Sequence, residues 1–152
     1  MTLYIEDLLR EINILNWYCG EAVKNSEPDA VFVESNKDTE DALLYHIRNV
    51  VTDVMMFANA NRVKFTCEYN ADCLVFIIEP VRGGREYLLG LLKEAIRQYI
   101  VYEVRRLWMM TVRPEWADGS LRESLRANIR EVMNNVTAMG NKVRRRCAIM
   151  GI

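Results

Sequence analysis

Residues 87–111 read YLLGLLKEAIRQYIVYEVRRLWMMT, and their period decides the fold. Leu88, Leu92, Ile96, Tyr99, Val101, Val104 and Trp108 fall on nearly every side of a 3.6-residue repeat. A helix that is apolar all round is normally buried. At ~1.5 Å per residue it runs roughly 37 Å. The expectation is a central helix. It is either the spine of a bundle or partly covered by another subunit.

Upstream of it the period changes to two. Val63, Phe65, Cys67 and Tyr69 alternate with Arg62, Lys64, Thr66 and Glu68, which reads as a half-buried strand. Asn70-Ala71-Asp72 supplies turn chemistry. Cys73 to Glu79 reads as a second strand, apolar on both faces, ended by Pro80. Together they form a β-hairpin at about residues 62–79. An isolated hairpin is marginal in water, so it must pack on the helices or gain strands from another copy. Cys67 and Cys73 flank the turn and could face each other across it.

Two further helices precede the hairpin. Ile5, Leu8, Leu9, Ile12, Leu15 and Cys19 form one stripe from about Leu3 to Lys24, with Thr2 as a possible N-cap. Residues 25–37 read as a loop in which Val31-Phe32-Val33 is a short apolar clip, either tacked onto the core or offered to a neighbour. Asp38 or Thr39 can cap the second helix, whose stripe is Leu43, Ile47, Val50, Val51, Val54 and Ala58. Beyond the long helix, Pro114 and Asp118-Gly119 break the chain. Ser120 to Glu123 has the spacing of a capping box, and Leu125, Ile129, Val132 and Val136 continue a last helix towards Gly140. The expected architecture is mainly α: about four helices with a hairpin inserted between the second and third. Residues 1–140 form one domain and 141–152 a basic tail.

Composition agrees with one globular domain. The chain has 152 residues, is 51% hydrophobic and 27% charged, and carries a net charge of −1. Chains of this size bury enough surface to fold without disulfides or metals. Any nucleic-acid role must come from a local patch. The early acids Glu6 and Asp7 make a signal peptide unexpected. The longest uncharged apolar stretch, Cys73 to Ile78, is far short of the ~20 residues a membrane span needs, so no membrane partner is expected.

Chemistry is sparse. His46 is the one histidine, and the four cysteines have no C-x-x-C spacing, so no metal or other cofactor is expected. His46 reads as a partly buried histidine before a catalytic base, and no catalytic residues are assigned. Asp38, Glu40 and Asp41 suit the first turn of a helix. Arg82-Gly83-Gly84-Arg85 reads as a plain turn, with a small phosphate-binding nest as the alternative. Lys142, Arg144, Arg145 and Arg146 are candidate partner-binding residues: a solvated end, a nucleic-acid contact, or an ionic clamp on an acidic partner. Candidate subunit-interface residues are Phe65, Tyr69 and Phe76 on the hairpin, Tyr102 on the long helix, and Trp108 and Trp116 around the break at Pro114. Aromatics, Met and Arg are enriched in interface cores. The expected role is binding and assembly, not catalysis.

The order of segments resembles the head–tail connector (adaptor) proteins of tailed bacteriophages. The resemblance is carried by Leu88 to Val104, with its Y-I-V-Y core followed by a Pro-containing break. Leu125 to Val136 running into Lys142-Val143-Arg144-Arg145-Arg146 adds to it, as does the hairpin leading to Pro80. The loop between the first two helices and the Arg82 to Arg85 loop have no counterpart in that pattern. The resemblance implies a cyclic ring of identical subunits, commonly twelve, assembled in the bacterial host cytoplasm and placed in the virion neck. Its partners would be the portal protein, a tail or second neck protein, and DNA in passing. The hairpin would extend or stack against a neighbour's, the next subunit would cover one flank of the long helix, and the basic tail would dock in an acidic groove of the portal. The alternative is a small helical nucleic-acid-binding or protein-interaction module that uses the basic tail.

Overall fold

The computed structural model describes residues 1–28, 35–59, 64–79, 81 and 86–137. These form β1 (Thr2–Tyr4), α1 (Ile5–Ser26), α2 (Glu40–Asn59), β2 (Lys64–Tyr69), β3 (Cys73–Glu79), α3 (Tyr87–Val112) and α4 (Arg122–Thr137). Short 3₁₀ turns at Lys37–Thr39 and Pro114–Trp116 lead out of the loops on either side. The fold is mainly helical, with a small antiparallel sheet of order β1-β3-β2.

The N-terminus departs from the sequence expectation. Thr2 does not cap a helix starting at Leu3; Thr2–Tyr4 is a strand and α1 begins at Ile5. The backbone explains the change. The Met1 ammonium donates to the Phe76 carbonyl at 2.7 Å, and the Phe76 N–H donates to the Met1 carbonyl at 2.7 Å. The Ile5 N–H, an orphan donor in any helix start, donates to the Asp72 carbonyl at 2.9 Å. The hairpin therefore gains its third strand from its own chain, not from another copy. Leu3 joins Phe65, Leu74, Phe76 and Ile78 on the buried face. Strand β3 is not equally apolar in its setting on both sides, for Cys73, Val75 and Ile77 are only half-buried. Cys67 lies opposite Phe76, and Cys73 opposite Tyr4, so the two thiols do not face each other.

The helices follow their stripes, with different caps. Every residue expected on the inner stripe of α2 is buried. The 3₁₀ turn that leads into it is capped by Asn36, whose side chain accepts from the Asp38 N–H at 2.9 Å, while Thr39 Oγ1 accepts from the Asn36 N–H at 2.8 Å. Thr39 thus answers the cap and does not form it. Before α4, the Ser120 N–H and hydroxyl both donate to Asp118, at 2.8 and 2.9 Å. Asp118 organises that entry, and α4 begins at Arg122. Helix α3 ends where Arg113 donates to Met109 at 2.7 Å and Pro114 prevents continuation.

Helix α3 is the spine. Leu92, Ile96, Tyr99, Ile100 and Val104 are wholly buried against the chain's own elements. Each such side chain contributes ~1.5–3 kcal/mol by leaving water. The flank expected to need a neighbouring subunit is instead covered by α1, α2 and α4. Exposed apolar groups on α3 are confined to its ends, at Tyr87, Leu91 and Met110. Helix α1 runs parallel to α3: Glu11 pairs with Arg97, Cys19 accepts from Arg105 at 3.1 Å, and Glu27 pairs with Arg113 at 2.6 Å. All three links join residues 86 apart, which fixes a single register. Helix α4 packs antiparallel, since Arg122 meets Glu103 and Arg126 meets Tyr99.

Candidate interaction surface

The densest polar cluster lies where α2, α3 and α4 meet. Asp53 accepts from the Tyr99 hydroxyl at 2.5 Å and from Arg126 Nη2 at 2.6 Å. Glu103 is 3% exposed. It accepts from Arg106 Nη2 and Nε, at 2.7 and 2.8 Å, and pairs with Arg122 Nε at 3.1 Å. Burial alone would raise the Asp53 carboxyl, but hydrogen bonds from Arg126 and Tyr99 outweigh it and hold it below its ordinary value. The Tyr99 hydroxyl is pushed up to about 12 by burial and by the adjacent carboxylate. Arg126 also lies over the Phe57 ring, 5.2 Å from its centroid, and Arg130 lies over the same ring at 5.4 Å. A cleft of about 220 Å³ opens beside Asp53, Glu103, Arg106 and Arg122. Each carboxylate there is already held by arginines, so the cluster clamps α4 onto the bundle.

The other chemical candidates of the sequence are equally quiet. His46 is half-buried and burial lowers its pKa, as befits a neutral packed imidazole. Burial pushes the Cys67 thiol up to about 11, helped by Glu68. Among the described residues no group of His, Cys, Asp and Glu is placed to hold a metal ion, and no helix is long and apolar enough to cross a membrane.

The expected interface residues divide. Phe65 and Phe76 stack in the core with centroids 5.5 Å apart, and Trp108 is 4% exposed. These three are corrected to core positions, because their own chain encloses them. Tyr102 and Trp116 are half-buried. The Tyr102 hydroxyl donates to the Asp118 carbonyl at 2.7 Å and accepts from the Leu121 N–H at 3.2 Å, so it secures the α3–α4 connection. Tyr69 keeps 43% of its surface. Val31 to Val33, Arg82 to Arg85, Lys142, Arg144, Arg145 and Arg146 lie outside the described residues.

The open edge of β2 is partly closed from within. The Asn70 N–H donates to the Cys73 carbonyl, so by antiparallel alternation Phe65, Cys67 and Tyr69 turn their backbone groups outward. Asn59 occupies the first of these sites. Its side chain donates to the Phe65 carbonyl at 3.0 Å and accepts from the Phe65 N–H at 2.9 Å. This is the pairing another strand would make, and it shortens the exposed edge.

Among the described residues, open surfaces away from the core include these two. One is the outer face of α1, where Ile14, Trp17 and Tyr18 are 50%, 48% and 61% exposed. Their i, i+3, i+4 spacing places them together, and the Trp17 and Tyr18 rings meet edge to face at 5.1 Å. Sequence reading passed over them because they lie off the stripe that packs inward. Large aromatics on the polar side of an amphipathic helix were the available signal. The second surface is a groove of about 610 Å³ between the starts of α1 and α2 and the β2–β3 turn.

Comparison with known proteins finds no matching family model, no matching curated protein and no matching solved structure.

Proposed function

We propose that this chain is a structural subunit that assembles with copies of itself into a ring, and that the ring is the head–tail connector of a tailed bacteriophage. The observation that carries the assembly is the strip of Ile14, Trp17 and Tyr18. The core is complete without them, yet they hold a tight aromatic pair at the surface. Tyr and Trp are the residues on which interface energy concentrates. A head-to-tail ring needs two different patches on each copy, and Tyr87 and Leu91, exposed one turn apart at the start of α3, offer a second. The connector identity is supported by the order of elements. The flat faces of such a ring would meet the portal protein on one side and a tail or second neck protein on the other, in the virion neck.

Sedimentation velocity and negative-stain electron microscopy of the full chain test this. Closed rings forming as concentration rises are the expected result. Trp17→Ser with Tyr18→Ser should weaken assembly at least tenfold while leaving the melting temperature of the dilute, unassembled chain unchanged. A chain that stays monomeric throughout overturns the proposal.

A further inference from the structure

The apolar part of the groove lining is Ile5, Leu9 and Leu44. Its charged lining is unbalanced: four carboxylates, Glu6, Asp7, Glu40 and Asp72, stand against two cations, Arg10 and Lys37. Arg10 reaches Glu6 at 3.2 Å and Asp7 at 3.7 Å, in exposed pairs of little strength. An occupant matched to this groove is basic along one part and apolar along another. Residues 138–152 have that pattern, with Lys142, Arg144, Arg145 and Arg146 followed by Ala148-Ile149-Met150.

The packing of the helices brings this segment to the right end of the molecule. Each step forward along α4 is a step back along α3, so Thr137, eleven residues past Arg126, ends beside the first turns of α3. Helix α1 runs parallel to α3, with Glu11 at Arg97, so its start lies at that same end. In a ring whose axis runs along these helices, the root of one tail would sit level with the groove of the next copy.

We propose that the C-terminal segment, residues 138–152, docks in the acid-rimmed groove of a neighbouring copy, an inference that rests on the assembly reading above. Guanidinium groups of Arg144 to Arg146 bind the rim carboxylates in paired hydrogen bonds. Ala148, Ile149 and Met150 cover Ile5, Leu9 and Leu44. The contact is head-to-tail, because each copy gives a tail on one side and receives one on the other.

Charge exchange on the full chain tests this. A groove variant carries Glu6→Lys, Asp7→Lys and Glu40→Lys; a tail variant carries Arg144→Glu, Arg145→Glu and Arg146→Glu. Each alone should self-associate at least tenfold more weakly than the wild type in sedimentation velocity while keeping its helical circular dichroism; the groove variant, which puts cations in the first turns of α1 and α2, should melt a few degrees lower. Mixing the two, or joining both sets in one chain, should restore assembly, and added salt should weaken it. Wild-type assembly that is indifferent to both variants overturns the tail contact and leaves the ring standing. Single variants that weaken assembly without restoration on mixing also overturn it, and point to a tail held by its own chain or by another partner. A wild-type chain that remains monomeric removes the ring itself.

Discussion

Truncating Asp53 should unfasten α4. The carboxylate takes the Tyr99 hydroxyl at 2.5 Å and Arg126 at 2.6 Å. Asp53→Ala leaves Arg126, 15% exposed at its side chain, with only the exposed Glu123 as an ionic partner. Removing one partner of a fully buried ion pair costs about 3–5 kcal/mol. The Asp53 side chain is 30% exposed, and water screens the loss to about 2–3 kcal/mol. Urea unfolding followed by far-ultraviolet circular dichroism measures it. With a slope of about 2 kcal/mol per molar for a chain this long, the midpoint should fall by about 1 M or more. Asp53→Asn keeps an acceptor for Tyr99 and should lose about 1 kcal/mol. Combining Asp53→Ala with Arg126→Met should cost less than the sum of the singles by about 1 kcal/mol. The folded Asp53 pKa lies below its ordinary 3.8, so its contribution is complete above that value and disappears as pH falls through the lower folded one. The gap between wild type and Asp53→Ala should therefore close in acid. A loss under about 0.5 kcal/mol at neutral pH, or strict additivity with Arg126→Met, refutes the clamp.

Other consequences are simpler to measure. Asn59→Ala frees both backbone groups of Phe65 and should cost about 1–2 kcal/mol in thermal or urea unfolding, with new aggregation through the β2 edge visible by light scattering. Leu3→Ala removes a side chain 4% exposed beneath the sheet and should cost about 2–4 kcal/mol, whereas Thr2→Ala, on the outer face, should cost almost nothing. The Cys67 thiol, raised to about 11, should resist iodoacetamide at neutral pH. Mass mapping should show its labelling accelerating as pH approaches that value, and rapid labelling at pH 7 contradicts the burial argument.

The element order was legible because it rests on local periods. The change from 3.6 to two near Arg62, and back at Tyr87, placed the hairpin and long helix without knowledge of any tertiary contact. The stripe of α2 was read residue for residue. The first strand was not, and the reason is physical. Thr2 to Tyr4 is too short to show a period, and nothing within those residues announces a partner strand as distant in sequence as Cys73 to Val75. Asn16 was missed similarly. It lies at a core position of α1, wholly buried, and its side chain donates to Ser35 Oγ at 2.8 Å, a partner nineteen residues away that no local period shows. Caps shifted by a residue or two for the same reason: Asn36 and Asp118 precede the residues whose types looked most cap-like.

Helix α3 separates enclosure from exposure. Apolar residues on all sides of a helix establish that it must be enclosed, but do not say by what. Here three helices of the same chain enclose it, and Glu103, buried on that helix, is tolerated because Arg106 and Arg122 satisfy it from within. Phe65, Phe76 and Trp108 drew attention as interface residues through their size, and that same size makes them good core. A surface suited to a partner is recognised by the opposite sign: bulk placed where the core does not use it. Trp17 and Tyr18 meet that condition because Leu8, Leu9, Ile12 and Val23 already complete the inner face of α1. A strip that neither packs inward nor carries charge leaves apolar area in water, and burial against a partner is the physical process that would recover it.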